Sequence, residues 1–297
     1  MLDPEVAIDR INRVFGQHDR TRALHAKGRF YQGTFTASPE AAVLSRAPHL
    51  QGQPVPVTVR WSNGGGDPHV SDTAPDVRGM AVKFRSPSGD TDLLGQTAPR
   101  FPVRTPEAFV QLTEAARKPY LLPVFMAKHP SSVPALLANL RGRALVPPHS
   151  YAEATYYPIH AYGWLAGEGG RSRTWVRYVF RPLATPDDRP AGTFDGSDRL
   201  GEEMGARLAR GPVRFDVHVT VAADGDDPHD PMSAWKGARE LSAGTIEVTA
   251  PTPDPEADGG VVVFDPVRVV DGIELSDDPI LRYREQAYSV SIGRRSS

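Results

Sequence analysis

The chain of 297 residues contains 39% hydrophobic and 24% charged residues, the balance of an ordinary globular protein. Its formal net charge of -2 gives no electrostatic reason to expect nucleic acid or an anionic membrane as a partner. Cysteine is absent from the sequence, which excludes disulfides, zinc–thiolate sites, iron–sulfur clusters and a cysteine nucleophile.

A helix over residues 3–15 is the first element that the sequence pattern predicts. Asp3 can cap this helix, Pro4 suits its first turn, and Gly16 can end it. A strand is predicted next at 55–61, where apolar and polar residues alternate with a period of two. Such alternation is typical of a strand that buries one face.

Residues 80–85 resemble the preceding strand in pattern and form the next predicted strand. Helices are then predicted to begin at Thr105, which is followed by proline and glutamate, and at Ser131, which leads into an Ala- and Leu-rich run. A further strand is predicted at 174–181. Helices are thus inserted between strands in this part of the chain.

The last third of the chain contains the clearest periodic patterns. Apolar residues recur every four positions from Leu200 to Leu208, which predicts an amphipathic helix that ends at Gly211. Residues 213–221 alternate strictly between apolar and polar, as a strand with one buried face does. The final predicted elements are strands at 244–249 and 261–264 and a helix that begins near Ser276.

Strands with helices inserted between and after them are typical of an α+β fold around an antiparallel sheet or barrel. The sequence contains no strict β–α–β alternation and no internal repeat. Strand patterns continue on both sides of every Pro- and Gly-rich stretch. We therefore predict a single domain that spans residues 1–297.

Motifs for the common metal and phosphate sites are missing from the sequence. The nine histidines form no HExxH, and the acidic pairs lack the spacing of a calcium loop. The glycines 64–66 follow a predicted strand, but neither GK[ST] nor a helix start comes after them. We therefore predict neither a dinucleotide site nor a P-loop.

Three separated segments resemble haem catalases, and they occur in the same order. Residues 22–28, RALHAKG, are similar to the catalase segment around the distal histidine. Residues 59–84 are similar without gaps to a segment that runs VRFS, then ADT, then DxRGFAVKF. Residues 264–288, which end in RYREQAY, resemble the proximal pattern xPGIExSxDxxLxxRxxxY. The resemblance covers most of the chain, and 111–243 matches only loosely.

The resemblance implies a fold, a cofactor and a ligand to the iron. The fold is an α+β, catalase-type antiparallel β-barrel with inserted and C-terminal helices, and the cofactor is haem b. Tyr288 matches the proximal ligand of the ferric iron. Arg284 lies four residues earlier, so the two side chains share a helix face, and both the iron and the guanidinium favour a phenolate.

On the distal side, the resemblance implies that His25 transfers a proton between the two peroxide oxygens, a task that suits a base titrating near neutrality. Ser62 matches the serine that hydrogen-bonds the distal histidine. Arg22, Arg60 and Arg295 match the arginines that bind the haem propionates. A guanidinium suits that role because it stays charged and forks onto carboxylate oxygens.

One distal position departs from the catalase pattern. Catalases carry an asparagine in a segment that resembles DLVGNNTPxFF, and its position here falls on Thr97, with Gln96 beside it. A hydroxyl can donate a hydrogen bond to bound peroxide, but it reaches less far than an amide. Thr97 is therefore the predicted third distal residue, and we expect only weak or residual catalase activity.

The chain ends soon after Tyr288, and in this it resembles the small catalase-related peroxidases. We expect hydrogen peroxide or an organic hydroperoxide to be the oxidant and a small organic molecule to be the electron donor. Two alternatives stay open: a hydroperoxide-rearranging haem enzyme similar to allene oxide synthases, and a non-catalytic haem-binding protein. An elongated apolar channel would favour the first, whereas the second would need neither His25 nor Ser62.

Small molecules are the only partners that the sequence predicts. The N-terminus lacks the basic and apolar run of a signal peptide, and no apolar stretch reaches the length of a membrane span. We therefore expect a cytoplasmic protein that binds neither nucleic acid nor a membrane. The oligomeric state stays open, with a homodimer as one option.

Overall fold

The structure, a computed structural model, describes residues 2–167, 172–257 and 260–296. Seven α-helices and ten β-strands form within these residues. The helices are α1 (Pro4–Phe15), α2 (Pro39–Leu44), α3 (Pro106–Arg117), α4 (Leu122–Lys128), α5 (Val133–Arg141), α6 (Arg199–Leu208) and α7 (Pro279–Ser296). The strands are β1 (Gly28–Ala37), β2 (Val55–Asn63), β3 (Arg78–Ser86), β4 (Gly89–Gln96), β5 (Tyr157–Pro158), β6 (Ala161–Ala166), β7 (Ser172–Pro182), β8 (Val213–Val221), β9 (Arg239–Pro251) and β10 (Ile273–Leu275).

The ten strands form one antiparallel sheet in the order β10-β6-β7-β8-β9-β1-β2-β3-β4-β5. Tyr156, directly before β5, exchanges two backbone hydrogen bonds with Phe180 of β7, at 3.0 and 2.8 Å. The sheet therefore curls back toward its own middle strands. This architecture confirms the predicted α+β class, an antiparallel β-barrel with inserted and C-terminal helices, and it shows that the barrel is a single sheet that curls back on itself.

The interior of the curled sheet is filled by residues that alternate along the strands. In β2 the side chains of Val57, Val59 and Trp61 are buried, and in β8 those of Phe215 and Val217 are buried as well. These positions are the apolar members of the alternating patterns in the sequence. Alternation thus identified the core face of both strands.

One predicted strand is wrong, because residues 261–264 form no strand. Val262, Val263 and Phe264 line a cavity instead, and the Phe264 ring stacks on Phe30 with a centroid distance of 6.3 Å. These apolar side chains therefore pack against the cavity and an aromatic ring. Sheet pairing plays no part in this packing.

Strand β4 was not predicted, because an acidic residue interrupts its apolar pattern. Asp92 is fully buried, and both its carboxylate oxygens accept hydrogen bonds from Lys83 Nζ, at 2.6 and 2.8 Å. Arg268 Nη1 and the Asp265 backbone N–H also donate to Asp92, at 2.9 and 2.8 Å. This network connects β3 and β4 to residues 265–268, which directly follow residues 262–264 of the cavity wall.

Helix α1 begins as predicted, with the Asp3 carboxylate accepting hydrogen bonds from the backbone N–H groups of Glu5 and Val6. It packs against α3 and α7. Arg10 fixes it to α3 through Glu107 and Glu114, at 2.6 and 2.8 Å. None of the helices in the described residues has the length and apolar character to cross a membrane.

We expect Asp92→Ala to lower the free energy of unfolding by about 3–5 kcal/mol, because it leaves the buried Lys83 ammonium without its partner. Urea denaturation followed by circular dichroism measures this loss. The control is Asp90→Ala, which removes a partly exposed carboxylate 3.9 Å from the same ammonium and should cost less than about 1 kcal/mol. Equal losses in the two variants would contradict the structural role of Asp92.

Candidate active site

A single cavity brings together most of the residues that the sequence analysis selected. It lies between α1, α7, the loop before β1 and the end of the sheet formed by β2, β3 and β4. Seven of the eight predicted site residues line it: Arg22, His25, Arg60, Ser62, Arg284, Tyr288 and Arg295. Thr97 is not among the lining residues.

His25 lies in the loop between α1 and β1 with a left-handed backbone conformation, φ = +56°. Its N–H donates to the carbonyl of Gly64 at 3.0 Å, and the N–H of Ala26 donates to Gly65 at 3.1 Å. A Cβ on Gly66 would lie 2.2 Å from the carbonyl oxygen of Ala23. The glycine triplet therefore allows the close backbone contact that holds His25 in an unusual conformation.

The ring of His25 is oriented by the sheet beneath it. Ser62 Oγ lies 3.0 Å from His25 Nδ1, and Ser62 pairs with Gly79 across β2 and β3. A Cβ on Gly79 would lie 2.8 Å from both Cε1 and Nδ1 of the imidazole. A larger residue at Gly79 would therefore displace the ring. Since Ser62 holds Nδ1, Nε2 is the nitrogen at the opposite edge of the ring.

The pKa of His25 is lowered to about 3. Burial is the largest cause, because it penalises the imidazolium, and the positive charges of Arg60, Arg284 and Arg22 add to the effect. His25 is therefore neutral near pH 7. A neutral imidazole has one nitrogen that can accept a proton, which is the state a general base needs.

Arg60 is buried beside His25, and its position follows from the strand β2. Its Nη1 and Nη2 donate to the carbonyls of His25 and Ala26, at 2.9 and 3.0 Å. Its Nε is buried and has no hydrogen-bond partner in the described part of the chain. Burial and the nearby Arg22 lower the pKa of Arg60 to about 9, so the guanidinium stays charged at neutral pH.

Arg22 and Arg295 meet at one edge of the cavity, where they share a carboxylate. Arg22 Nη2 and Arg295 Nη1 both donate to Glu256 Oε1, at 2.9 and 3.1 Å, and Arg22 Nη1 donates to the other oxygen. Nε of Arg295 is buried without a hydrogen-bond partner among the described residues. Sequence reasoning did not identify Glu256, because it lies 234 residues from Arg22.

Helix α7 carries the predicted proximal pair. Arg284 Nη1 lies 3.1 Å from the Tyr288 hydroxyl, as the four-residue spacing predicts. Asp278 directly precedes the helix and caps it, because its carboxylate accepts hydrogen bonds from the backbone N–H groups of Ile280 and Leu281. Arg284 and Tyr288 therefore lie on the helix face that lines the cavity.

Sequence reasoning also missed a buried pair behind the proximal helix. His160 Nδ1 lies 2.6 Å from Asp278 Oδ2, and both side chains are almost fully buried. Burial lowers the pKa of His160, so the neutral ring donates its Nδ1–H to the Asp278 carboxylate. Asp278 is the fixed aspartate of the proximal pattern, which was the available signal, whereas no pattern points to His160.

The structure places Gln96 at the cavity where the sequence analysis expected Thr97. Gln96 pairs with Gly79 across β3 and β4, so it shares a sheet face with Gly79 and Ser62. Thr97 Oγ1 donates to the carbonyl of Ala144 and accepts from the N–H of Arg78, both at 3.0 Å. Its hydroxyl is therefore engaged with the backbone.

The cavity fits a haem in its chemistry. Its walls are mainly apolar, with Met80, Leu94, Phe109 and Ile280 among the lining residues. One end carries arginines whose buried Nε atoms have no partner among the residues that the structure describes, and such groups suit carboxylates. Another side carries a tyrosine paired with arginine, a donor that suits ferric iron.

Comparison with known proteins identifies relatives along nearly the whole chain. A family model described as Catalase matches residues 2–189. A catalase-related peroxidase from Mycolicibacterium paratuberculosis is 45% identical over 300 residues, which cover 99% of this chain and 95% of the relative. A catalase-related peroxidase from Synechococcus elongatus is 30% identical, over 99% of this chain and 89% of its own length.

Solved catalase structures share the fold. A fungal catalase superposes with a TM-score of 0.77 at 18% identity, over 97% of this chain and 62% of its own. Catalase A from Saccharomyces cerevisiae gives a TM-score of 0.76 at 19% identity, over 97% of this chain and 63% of its own. The chain thus spans less than two thirds of either catalase, and identities this low establish only the shared fold.

We expect the haem-free protein to lose stability as the pH falls below about 6.5, because unfolding lets His25 take up a proton. The folded-state pKa lies below the unfolded one, so this stabilisation is complete above pH 6.5 and is lost as the pH falls toward about 3. Urea denaturation between about pH 4.5 and 7 measures the slope.

The matched variant is His25→Asn, since asparagine tolerates the left-handed conformation but does not titrate. Its free energy of unfolding should depend less steeply on pH, by up to about 1 kcal/mol per pH unit. Identical slopes in the two proteins would show that His25 is not held neutral by the fold.

Proposed function

Since the chain belongs to the catalase family, we propose that this peroxide-acting oxidoreductase is a haem-dependent peroxidase that oxidises small organic donors. Hydrogen peroxide or an organic hydroperoxide is the oxidant. One observation carries the proposal: His25, hydrogen-bonded to Ser62, and the Arg284–Tyr288 pair line the same apolar cavity. The chain therefore offers a proton-transfer group and an iron ligand to one bound molecule.

The cofactor that we propose is haem b, held at its iron by Tyr288. A bound haem would supply the iron redox chemistry that cleaves the peroxide O–O bond. Arg284 Nη1 donates to the Tyr288 oxygen and so stabilises the phenolate. Arg22, Arg60 and Arg295 would bind the propionates, and two of these arginines have a buried Nε without a partner among the described residues.

His25 performs the proton transfer that heterolytic cleavage of a peroxide requires. Its Nε2 accepts a proton from one peroxide oxygen and returns it to the other, which leaves as water or as an alcohol. Burial and the nearby arginines lower the pKa of His25 to about 3, below the near-neutral value that the resemblance led us to expect, so the ring begins in the neutral form with Nε2 able to accept the proton. Ser62 positions the ring through Nδ1, which keeps Nε2 available.

Gln96, rather than Thr97, is the distal residue that we propose to contact bound peroxide. Its position across from Gly79, on the sheet face that carries Ser62, puts an amide within the distal part of the cavity. The amide can donate a hydrogen bond to bound peroxide. The Thr97 hydroxyl already makes two hydrogen bonds with backbone groups, one to the carbonyl of Ala144 and one from the N–H of Arg78.

Two observations support a peroxidase with weak catalase activity. Two relatives that are 45% and 30% identical over 99% of this chain are both named catalase-related peroxidase. The catalase asparagine is also replaced, with Gln96 at the cavity and Thr97 turned away. Glutamine is one methylene longer than asparagine, so its amide holds a second peroxide differently from the catalase arrangement.

Replacement of His25 by alanine tests the mechanism. We expect His25→Ala to retain haem but to slow peroxide-dependent donor oxidation by about 100-fold or more, because the proton shuttle is lost. Stopped-flow measurements on haem-loaded protein give the rate, and the exposed His69→Ala is the control. Oxygen release measured on the same samples should stay far below donor oxidation in the unmodified protein.

Fast turnover in His25→Ala would refute the proton-transfer role. Oxygen release as the main reaction would identify a catalase instead. Conversion of an organic hydroperoxide without donor consumption would favour the rearranging enzyme. Each result changes the assignment in a different way.

Replacement of Tyr288 by phenylalanine tests the ligand. We expect Tyr288→Phe to lose or shift the absorption bands of ferric haem, because the iron loses its phenolate. The control is Tyr283→Phe on the same helix, since Tyr283 also lines the cavity but its hydroxyl makes no hydrogen bond with the described residues. An unchanged spectrum in Tyr288→Phe would show that the ligand lies elsewhere.

A further inference from the structure

Glu256 occupies the guanidinium groups that the proposed function assigns to haem propionates. Its carboxylate accepts hydrogen bonds from Arg22 and Arg295 and from the backbone N–H of Val262, the last at 3.0 Å. The three side chains are largely buried, with exposed fractions of 16% for Arg22, 16% for Glu256 and 7% for Arg295. The carboxylate therefore offsets one of the two positive charges at the edge of the cavity.

Both terminal nitrogens of Arg22 are engaged in this arrangement. Nη1 and Nη2 both donate to Glu256, and Nη2 also donates to the carbonyl of Val262 at 2.8 Å. A carboxylate from a ligand therefore cannot make the same forked contact with Arg22 while Glu256 holds it. A ligand carboxylate that takes this fork therefore has to displace Glu256.

We propose that Glu256 is an internal stand-in for a haem propionate, which holds the arginine pair in the haem-free protein and is displaced when haem binds. This inference rests on the proposed function, since it requires that haem binds in the cavity. Two buried arginines without a counter-ion would carry a large desolvation penalty. Glu256 lowers that penalty in the haem-free protein, and haem has to compete with Glu256 for the arginine pair.

The local structure around Glu256 suits such an exchange. The Glu256 N–H donates to Asp254 Oδ1 at 2.9 Å, and the Ala257 N–H donates to the Asp254 carbonyl at 3.2 Å. These bonds form a short turn outside the sheet, after β9 ends at Pro251. Displacement of the carboxylate therefore leaves the paired strands intact.

The experiment compares hemin binding by the unmodified protein and by the Glu256→Gln variant. We expect Glu256→Gln to lower the dissociation constant of hemin by about fivefold or more, because hemin no longer competes with a carboxylate. Absorbance titration of the haem-free protein gives this constant. Urea denaturation should show that the substitution destabilises the haem-free protein and leaves the loaded protein unaffected.

Two controls isolate the exchange of carboxylates. Glu247→Gln removes an acid that pairs with Arg214 on the sheet surface, so it changes the net charge equally and should leave hemin binding unaltered. Hemin dimethyl ester, whose propionates carry no charge, should gain less from Glu256→Gln than hemin does. Glu256→Asp, which keeps the charge on a shorter side chain, should give an intermediate constant and serves if Glu256→Gln does not fold.

The outcomes separate this inference from the proposed function. Equal or weaker hemin binding by Glu256→Gln, with normal binding by the unmodified protein, overturns the stand-in role alone. Equal gains for hemin and its dimethyl ester overturn it too. If neither protein binds hemin, the proposed function fails and the inference fails with it.

Discussion

The burial of positive charge is the constraint on which the rest of the site depends. Arg22, Arg60, Arg284 and Arg295 line one apolar cavity, where each guanidinium needs an acceptor. Backbone carbonyls satisfy part of Arg60, Glu256 satisfies the pair at the cavity edge, and the Tyr288 oxygen faces Arg284. Burial is the main reason that His25 is neutral, and the charges of Arg60, Arg284 and Arg22 add to the effect, so the same buried environment suits anionic ligands and a proton acceptor.

The sheet converts this constraint into a defined geometry. Three neighbouring strands place side by side the hydroxyl of Ser62, the space left by Gly79 and the amide of Gln96. The gap at Gly79 admits the imidazole of His25, and the serine orients it. The backbone of His25 adopts a left-handed conformation to reach this place, a strain that the loop contacts to Gly64 hold in position.

The proximal side is organised by the start of one helix. One carboxylate oxygen of Asp278 caps the first turn of α7, and the other accepts a hydrogen bond from His160. The start of the helix is therefore fixed to the chain between β5 and β6. From this anchored start, Arg284 and Tyr288 reach the cavity on one helix face. The position of the proposed ligand is thereby coupled to the sheet.

Local patterns in the sequence were sufficient for the α+β class, for the strands with regular alternation, and for the pairing of Arg284 with Tyr288. These features depend on neighbours a few residues apart, so local patterns suffice to predict them. The one-domain organisation over 1–297 stays a prediction. Long-range packing places Gln96 and not Thr97 at the cavity, leaves 261–264 outside the sheet, and brings Glu256 to Arg22 across 234 residues. The reason is physical: strand register and contacts between distant segments follow from packing of the whole chain, which no local pattern contains.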